Sequence, residues 1–131
     1  MRREAALQPL SRDHHVALEV ALRLRRDEAG AAERFLLFWQ DAGRHHFHVE
    51  EDLIFPVLDD GAEEVQRAVR EHAAIRRRAH QLAHGDAVDT IALGELLNEH
   101  VRFEERVLFG LVEEALDAAG LEALGAAVEA A

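Results

Sequence analysis

The sequence contains no cysteine. That excludes disulfide staples and thiolate-bound metals, and it leaves histidine nitrogen and carboxylate oxygen as the donors for any metal site. Such donors suit iron, manganese or zinc rather than soft ions. Positive charge is also short: 15 Lys and Arg against 26 Asp and Glu give a formal net charge of −11. The chain therefore lacks the basic face that phosphate backbones require, and no nucleic-acid partner is expected. The arginines at Arg23, Arg25 and Arg26 and at Arg76 to Arg78 read as solvated helix faces among acidic neighbours. No stretch reaches the roughly 20 apolar residues of a membrane span. Met1-Arg2-Arg3-Glu4-Ala5 lacks the apolar run of a signal peptide. A soluble, cytoplasmic protein with no membrane partner is expected.

Aromatics are only 5% of the residues and β-branched residues are scarce, which disfavours strands. Alanine, leucine, glutamate and arginine are abundant, which favours helix. At 131 residues the chain is expected to form one domain, residues 1–131, with its core in 10–118.

Apolar positions recur at helical spacing along the whole chain. The first helix is expected to start near Ser11 as its cap and to run to about Glu28. The second should run from about Ala31 to Phe55, where Pro56 ends it. Asp60 and Glu63 resemble a capping box for the third, which should stop at Gly85. Asp89 or Thr90 can cap the fourth, which should reach about Ala118 and end by Gly120. Leu121, Leu124 and Val128 fit a short fifth helix or a frayed tail. Long helices with short connections predict an all-α, up-down-up-down four-helix bundle.

The chain repeats itself. Arg12-Asp13-His14 recurs as Arg70-Glu71-His72. The segment from His46 through Glu50-Glu51 to Phe55 recurs from His100 through Glu104-Glu105 to Phe109. Each half thus carries one histidine on its first helix and a His-x-x-x-Glu pair on its second. Residues four apart lie on one helix face about 6 Å apart along the axis, so both members of each pair can reach one centre. A glutamate has two oxygens and can bridge two ions; histidines can supply terminal nitrogens.

The histidines sit within apolar stripes. His14 lies with Leu7, Leu10, Ala17 and Leu24, and His46 with Phe38, Ala42, Leu53 and Ile54. His72 lies with Val65, Ala68, Val69 and Ile75, and His100 with Leu93, Leu97, Val107 and Leu108. His15 rivals His14: a His-x-x-aliphatic pattern favours it, but its face is mostly polar. His45 and His48 lie on charged faces. His80 and His84 could hold a surface zinc, although a solvated helix end is the simpler reading. Any one of these histidines alone would more often be a satisfied core or surface residue than a ligand. The matched set of His14, His46, Glu50, His72, His100 and Glu104 is another matter. Buried together without a partner, these groups would cost several kcal/mol, and a pair of cations would remove that cost. Glu51 and Glu105, next in sequence to the proposed ligands, read as solvated rather than as supports that orient a ligand histidine. The phenylalanines and Trp39 read as packing residues.

The Asp-His14 and Glu-His72 elements, with the two His-x-x-x-Glu-Glu-x-x-aliphatic-Phe segments, resemble the hemerythrin-like, or HHE cation-binding, domain. The likeness spans about residues 10 to 115. It implies a four-helix bundle around two non-haem iron ions. It also implies carboxylate bridges from Glu50 and Glu104 and an oxo or hydroxo bridge from solvent. Oxygen carriers of that family have a second histidine where this chain has Arg76. Their last carboxylate is an aspartate five residues after its histidine, whereas His100 and Glu104 here are four apart. These departures argue against reversible oxygen transport and leave a more symmetric six-ligand site.

The function expected from the resemblance is binding or sensing of dioxygen, nitric oxide or a peroxide at the metal centre, or iron handling. A di-iron oxidase or peroxidase-type enzyme is one alternative. A metal-free or zinc-binding helical interaction module is another. Zinc or manganese stays open as the metal, since the same donors suit both.

Overall fold

The structure is a computed structural model, and it describes residues 2–131. Among the described residues there are helices and no strands. Helix α1 is Gln8–Arg25, led in by a 3-10 turn at Ala5–Leu7. Helix α2 is a continuous rod over 31–54, in which α-helical Ala31–Phe38 and Arg44–Val49 alternate with π-turns at Trp39–Gly43 and Glu50–Ile54. Helix α3 is Glu63–Ala83. Helix α4 is a second rod over 90–115, with a π-turn at Glu104–Leu108. Helix α5 is Ala118–Ala130. The first four form the expected bundle. Helix α1 packs most extensively on α4 and also on α2, while α3 packs on both α4 and α2. Helix α5 folds back over the Ala5–Leu7 turn and the far end of α2.

Several helix ends differ from the sequence expectation. Helix α1 begins three residues before Ser11, with Pro9 in its first turn, where a missing N–H costs nothing. Ser11 is therefore inside the helix, and its hydroxyl bonds a side chain instead of a backbone amide. Asp60 does not cap α3. The N-cap is Ala62, with no side-chain hydrogen bond, and Asp59 takes the local turn by accepting from the Gly61 N–H. Asp89 caps α4 as expected, accepting from the Ala92 N–H. The fourth helix stops at Ala115 rather than Ala118, because Asp117 caps a distinct fifth helix by accepting from the Gly120 N–H. Gly85 ends α3 in the left-handed region, at φ 79°.

Two apolar layers fill the bundle. One gathers Leu7, Leu10, Ile54, Phe55, Leu108, Phe109 and Val112, closed over by Leu124 and Val128 of α5. The other gathers Val20, Leu24, Phe35, Phe38, Phe47, Ile75, Leu93 and Leu97. Each fully buried Leu, Ile or Phe contributes about 1.5–3 kcal/mol of hydrophobic stabilisation. Between the layers lie the buried polar side chains of the bundle. Two residues expected on inward faces, Val69 and Val107, are instead 46% and 41% exposed.

Candidate metal centre

Each of the four bundle helices brings one histidine inward, and α2 and α4 each add a glutamate one turn later. His14, His46, Glu50, His72, His100 and Glu104 are all buried, at 4% exposure or less. His15, the rival on α1, is exposed, as are His45, His48, His80 and His84. The two glutamates occupy equivalent backbone positions. Each opens a π-turn in which its carbonyl accepts from the N–H five residues on, at Phe55 and at Phe109. The wider turn carries those phenylalanines back over the glutamate's own helix face. Such turns recur at functional sites. Phe109 stacks on His14, with ring centroids 5.2 Å apart, and Phe47 lies flat on His72 at 3.7 Å.

The inward donor atoms form two sets. His14, His46, Glu50 and Glu104 make one; His72, His100, Glu50 and Glu104 make the other. Within each set the donor atoms all lie within 4.8 Å of one another. Both glutamates belong to both sets, each through a different oxygen. Glu50 turns Oε2 to His46 at 3.1 Å and Oε1 to His72 at 3.1 Å. Glu104 turns Oε1 to His14 at 3.0 Å and Oε2 to His100 at 3.3 Å.

These atoms are short of hydrogen bonds. Both oxygens of Glu50, Oε2 of Glu104 and the Nε2 atoms of His72 and His100 are buried without a hydrogen-bond partner. Orphaned buried polar atoms are few in native proteins and each calls for a cause. The electrostatics point the same way. Burial is the largest influence on every group and disfavours charge. It is overcome at the histidines: hydrogen bonds to Glu104 and Glu105, with the Glu50 carboxylate 3.7 Å away, hold His14 well above its ordinary value, and the charge of Glu104 raises His100. Among the carboxylates, the histidine partners keep Glu50 below the ordinary range against burial and the Glu104 charge, and Glu104 lies well below it. The cluster thus draws in positive charge, whether as protons or as cations, and its donor set fits metal ions of borderline or hard character.

An outer layer aims the inward histidine rings. The Nδ1 of His14 meets Glu105 at 2.6 Å, and that of His46 meets Asp13 at 3.0 Å. The Nδ1 of His72 meets Glu51 at 2.8 Å, and that of His100 meets Glu71 at 2.8 Å. With Nδ1–H donating outward, each Nε2 is left as an inward acceptor. Three of the four carboxylates are themselves held. Arg76 grips both oxygens of Glu51, at 2.6 and 2.9 Å. Ser11 donates to Glu105 at 2.7 Å, and Arg67 donates to Glu71 at 3.2 Å.

This layer corrects the sequence reading. Glu51 and Glu105 are not simply solvated: the histidine and arginine beside Glu51 hold its carboxyl down at about 2 against the effect of burial. Arg76, at the position where a second histidine stands in oxygen carriers, clasps Glu51 rather than lying on a solvated face. Asp13 and Glu71 were missed. Their signal was in the repeat, since an acid immediately precedes the inward histidine in both halves. The exposed pair at the end of α3 behaves as a solvated helix end, with His84 Nδ1–H donating to the His80 carbonyl at 2.8 Å.

No helix among the described residues is long and apolar enough to cross a membrane. Neither the curated proteins nor the solved structures compared with the chain gave a match. The family model of the hemerythrin HHE cation-binding domain matches residues 6–112, which takes in α1 to α3, all but the last three residues of α4 and every residue of the buried cluster. With its buried histidine–glutamate group compatible with metal binding, the chain belongs to the hemerythrin HHE cation-binding domain family.

Proposed function

We propose that the chain holds two iron ions through His14, His46, Glu50, His72, His100 and Glu104, and uses them to bind or sense dioxygen, nitric oxide or a peroxide. One observation carries this reading: Glu50 and Glu104 each offer one oxygen to each histidine pair. Such an arrangement suits two ions bridged by two carboxylates and not a single central ion. Each ion would receive two nitrogens and two oxygens from the protein. For iron, that leaves positions open to a solvent-derived bridge and to an exogenous ligand. Iron bound there would supply a redox couple able to bind small oxidants. The protein's own part is to keep the site dry, to aim the four Nε2 atoms and to admit a small guest. A cavity of about 10 Å³ beside His14, His46 and His100, walled by Phe38, Phe47, Leu97 and Val101, supports the last point. It has room for about one water-sized molecule.

Four donors per ion is also the number that closes a structural zinc site, so metal content is the deciding measurement. The protein should be purified without a metal-binding tag, its metals counted per chain, and its near-ultraviolet and visible spectrum recorded. Two irons with charge-transfer bands are expected, and the spectrum of the reduced protein should change on adding dioxygen or nitric oxide. Zinc with a featureless spectrum would overturn the iron reading. An inert reduced iron protein would overturn the sensing reading. Steady peroxide consumption above that of free iron would move the assignment to an enzyme.

A further inference from the structure

We propose that the cleft between α3 and α4 around Arg67 is a docking surface for a carboxylate-rich segment of a partner protein. We further propose that docking is felt at His100; this second part rests on the metal-centre reading above.

In a chain of net charge −11, this cleft is a local inversion. It has a volume of about 370 Å³, and its walls carry three guanidiniums, Arg67, Arg102 and Arg106, against a single carboxylate, Glu99. Neither Arg102 nor Arg106 has a carboxylate within 4.0 Å among the described residues. They lie four residues apart on α4 and carry the same charge. A partner of negative charge is repelled by most of this molecule and is oriented onto the cleft.

One further feature favours a polypeptide over a small anion. Val107, on the wall, is 41% exposed and gives an apolar contact beside the charges.

Arg67 ties the cleft to the interior. Its guanidinium lies 4.0 Å over the Phe103 ring, and its Nε–H donates to Glu71 Oε2 at 3.2 Å. The other oxygen of Glu71 takes the Nδ1–H of His100 at 2.8 Å. Arg67 is more exposed than Arg76, the other arginine that holds an outer carboxylate, at 44% against 32%. A partner carboxylate drawing on Arg67 loosens its hold on Glu71, and the freed carboxylate then accepts more strongly from His100.

The test is fluorescence anisotropy of a labelled octaglutamate peptide titrated with the full chain, read on the protein whatever metal it holds. A failed peptide titration is therefore a separate result from a failed metal analysis. The wild type is expected to bind at low salt and to weaken as salt is raised. Arg102→Glu with Arg106→Glu is expected to weaken binding about tenfold or more. Arg26→Glu with Arg77→Glu, the same change of net charge placed elsewhere, should leave it within about twofold. No binding by the wild type, or equal loss in both double variants, would overturn the docking assignment. Displacement of the peptide by inorganic phosphate at matching concentration would overturn the polypeptide and indicate a small-anion site. In the loaded protein, peptide binding should shift the absorption of the centre in the wild type but not in Arg67→Gln. An unshifted wild-type spectrum with peptide bound would overturn the coupling to His100.

Discussion

The Nε2 atoms of His14 and His46 stand 3.1 Å apart, while the Nδ1 of each ring is committed to a carboxylate on its outer side. With both Nδ1–H groups donating outward, two lone pairs share one small space, which is repulsive unless a proton or a cation lies between them. Two imidazole nitrogens bound to one ion at about 2.1 Å each, near a right angle, are separated by about 3 Å. The spacing fits two ligands of one ion. His14→Ala and His46→Ala are each expected to cost at least one of two bound ions, counted by elemental analysis of the purified variants. His15→Ala, on an exposed ring, should keep the full content. Equal metal loss from His15→Ala and His14→Ala would overturn the ligand assignment.

The outer carboxylates predict a graded effect. Glu51→Gln and Glu105→Gln keep shape and remove charge, so the histidines beside them lose their strongest acceptor while the fold is kept. Metal affinity is expected to fall by about 10- to 100-fold in each. Glu71→Gln belongs in the same range. Asp13→Asn should cost less, because Asp13 is 39% exposed and its contact with His46 is the longest of the four, at 3.0 Å. Competition against a chelator of known affinity measures all four. Unchanged affinity in Glu51→Gln and Glu105→Gln would return both residues to the role of solvated acids.

The inward positions were legible because helical periodicity is a local property: His14 is surrounded by apolar residues at three- and four-residue spacing, and His15 is not. The duplicated His-x-x-x-Glu pairs were legible for the same reason. The partners of the histidines were not, because three of the four outer contacts cross more than 28 residues and join different helices at an angle that periodicity does not encode. Ser11 shows the limit at a helix end. Its hydroxyl suits a cap, yet Leu7 and Leu10 bury deeply enough to draw the helix back past it, and the hydroxyl found Glu105 instead. Val107 shows it on a helix face. The π-turn at Glu104–Leu108 shifts the phase of α4 by one residue, so a side chain that an unbroken helix would bury faces solvent.

Gly94 marks the closest approach of α4 to α1. A Cβ there would lie 2.8 Å from the Ala21 carbonyl oxygen, 2.8 Å from Leu24 Cβ and 2.9 Å from Arg25 Cγ. Alanine has the better helix propensity, by about 1 kcal/mol. The backbone oxygen cannot move aside without shifting α1, and overpacking of this kind costs about 1–3 kcal/mol. Gly94→Ala is therefore expected to destabilise. Gly110→Ala, on the same rod with nothing within 4 Å of its Cβ position, should stabilise by about 0.5–1 kcal/mol. Urea unfolding of the two variants checks the opposite signs.

Removing the metal hands the site to protons, and the direction of the pH dependence follows. In the metal-free protein, burial pushes His46 down, but the charge of Glu50 and the bond to Asp13 raise it from 6.5 to about 9. His72, likewise opposed by burial, is raised to about 10 by Glu104, Glu50 and Glu51. Values raised on folding mean that these imidazoliums contribute stability fully present below about pH 6.5, lost as the pH climbs through about 9 to 10. Glu51 is the opposite case: lowered from 4.5 to about 2, it contributes stability above about pH 4.5 that is lost as the pH falls toward 2. The metal-free Tm should therefore be highest between about pH 4.5 and 6.5 and decline on the alkaline side. Metal reverses the alkaline trend, because coordinating nitrogens must be unprotonated, so each ion displaces protons and binds more tightly as the pH rises. At a thousand times its Kd, an ion adds about 4 kcal/mol. The gap between the Tm with metal and the Tm with chelator should widen steadily from about pH 6 to pH 9. A gap that stayed constant over that range would mean that the ions do not take the place of protons on these histidines.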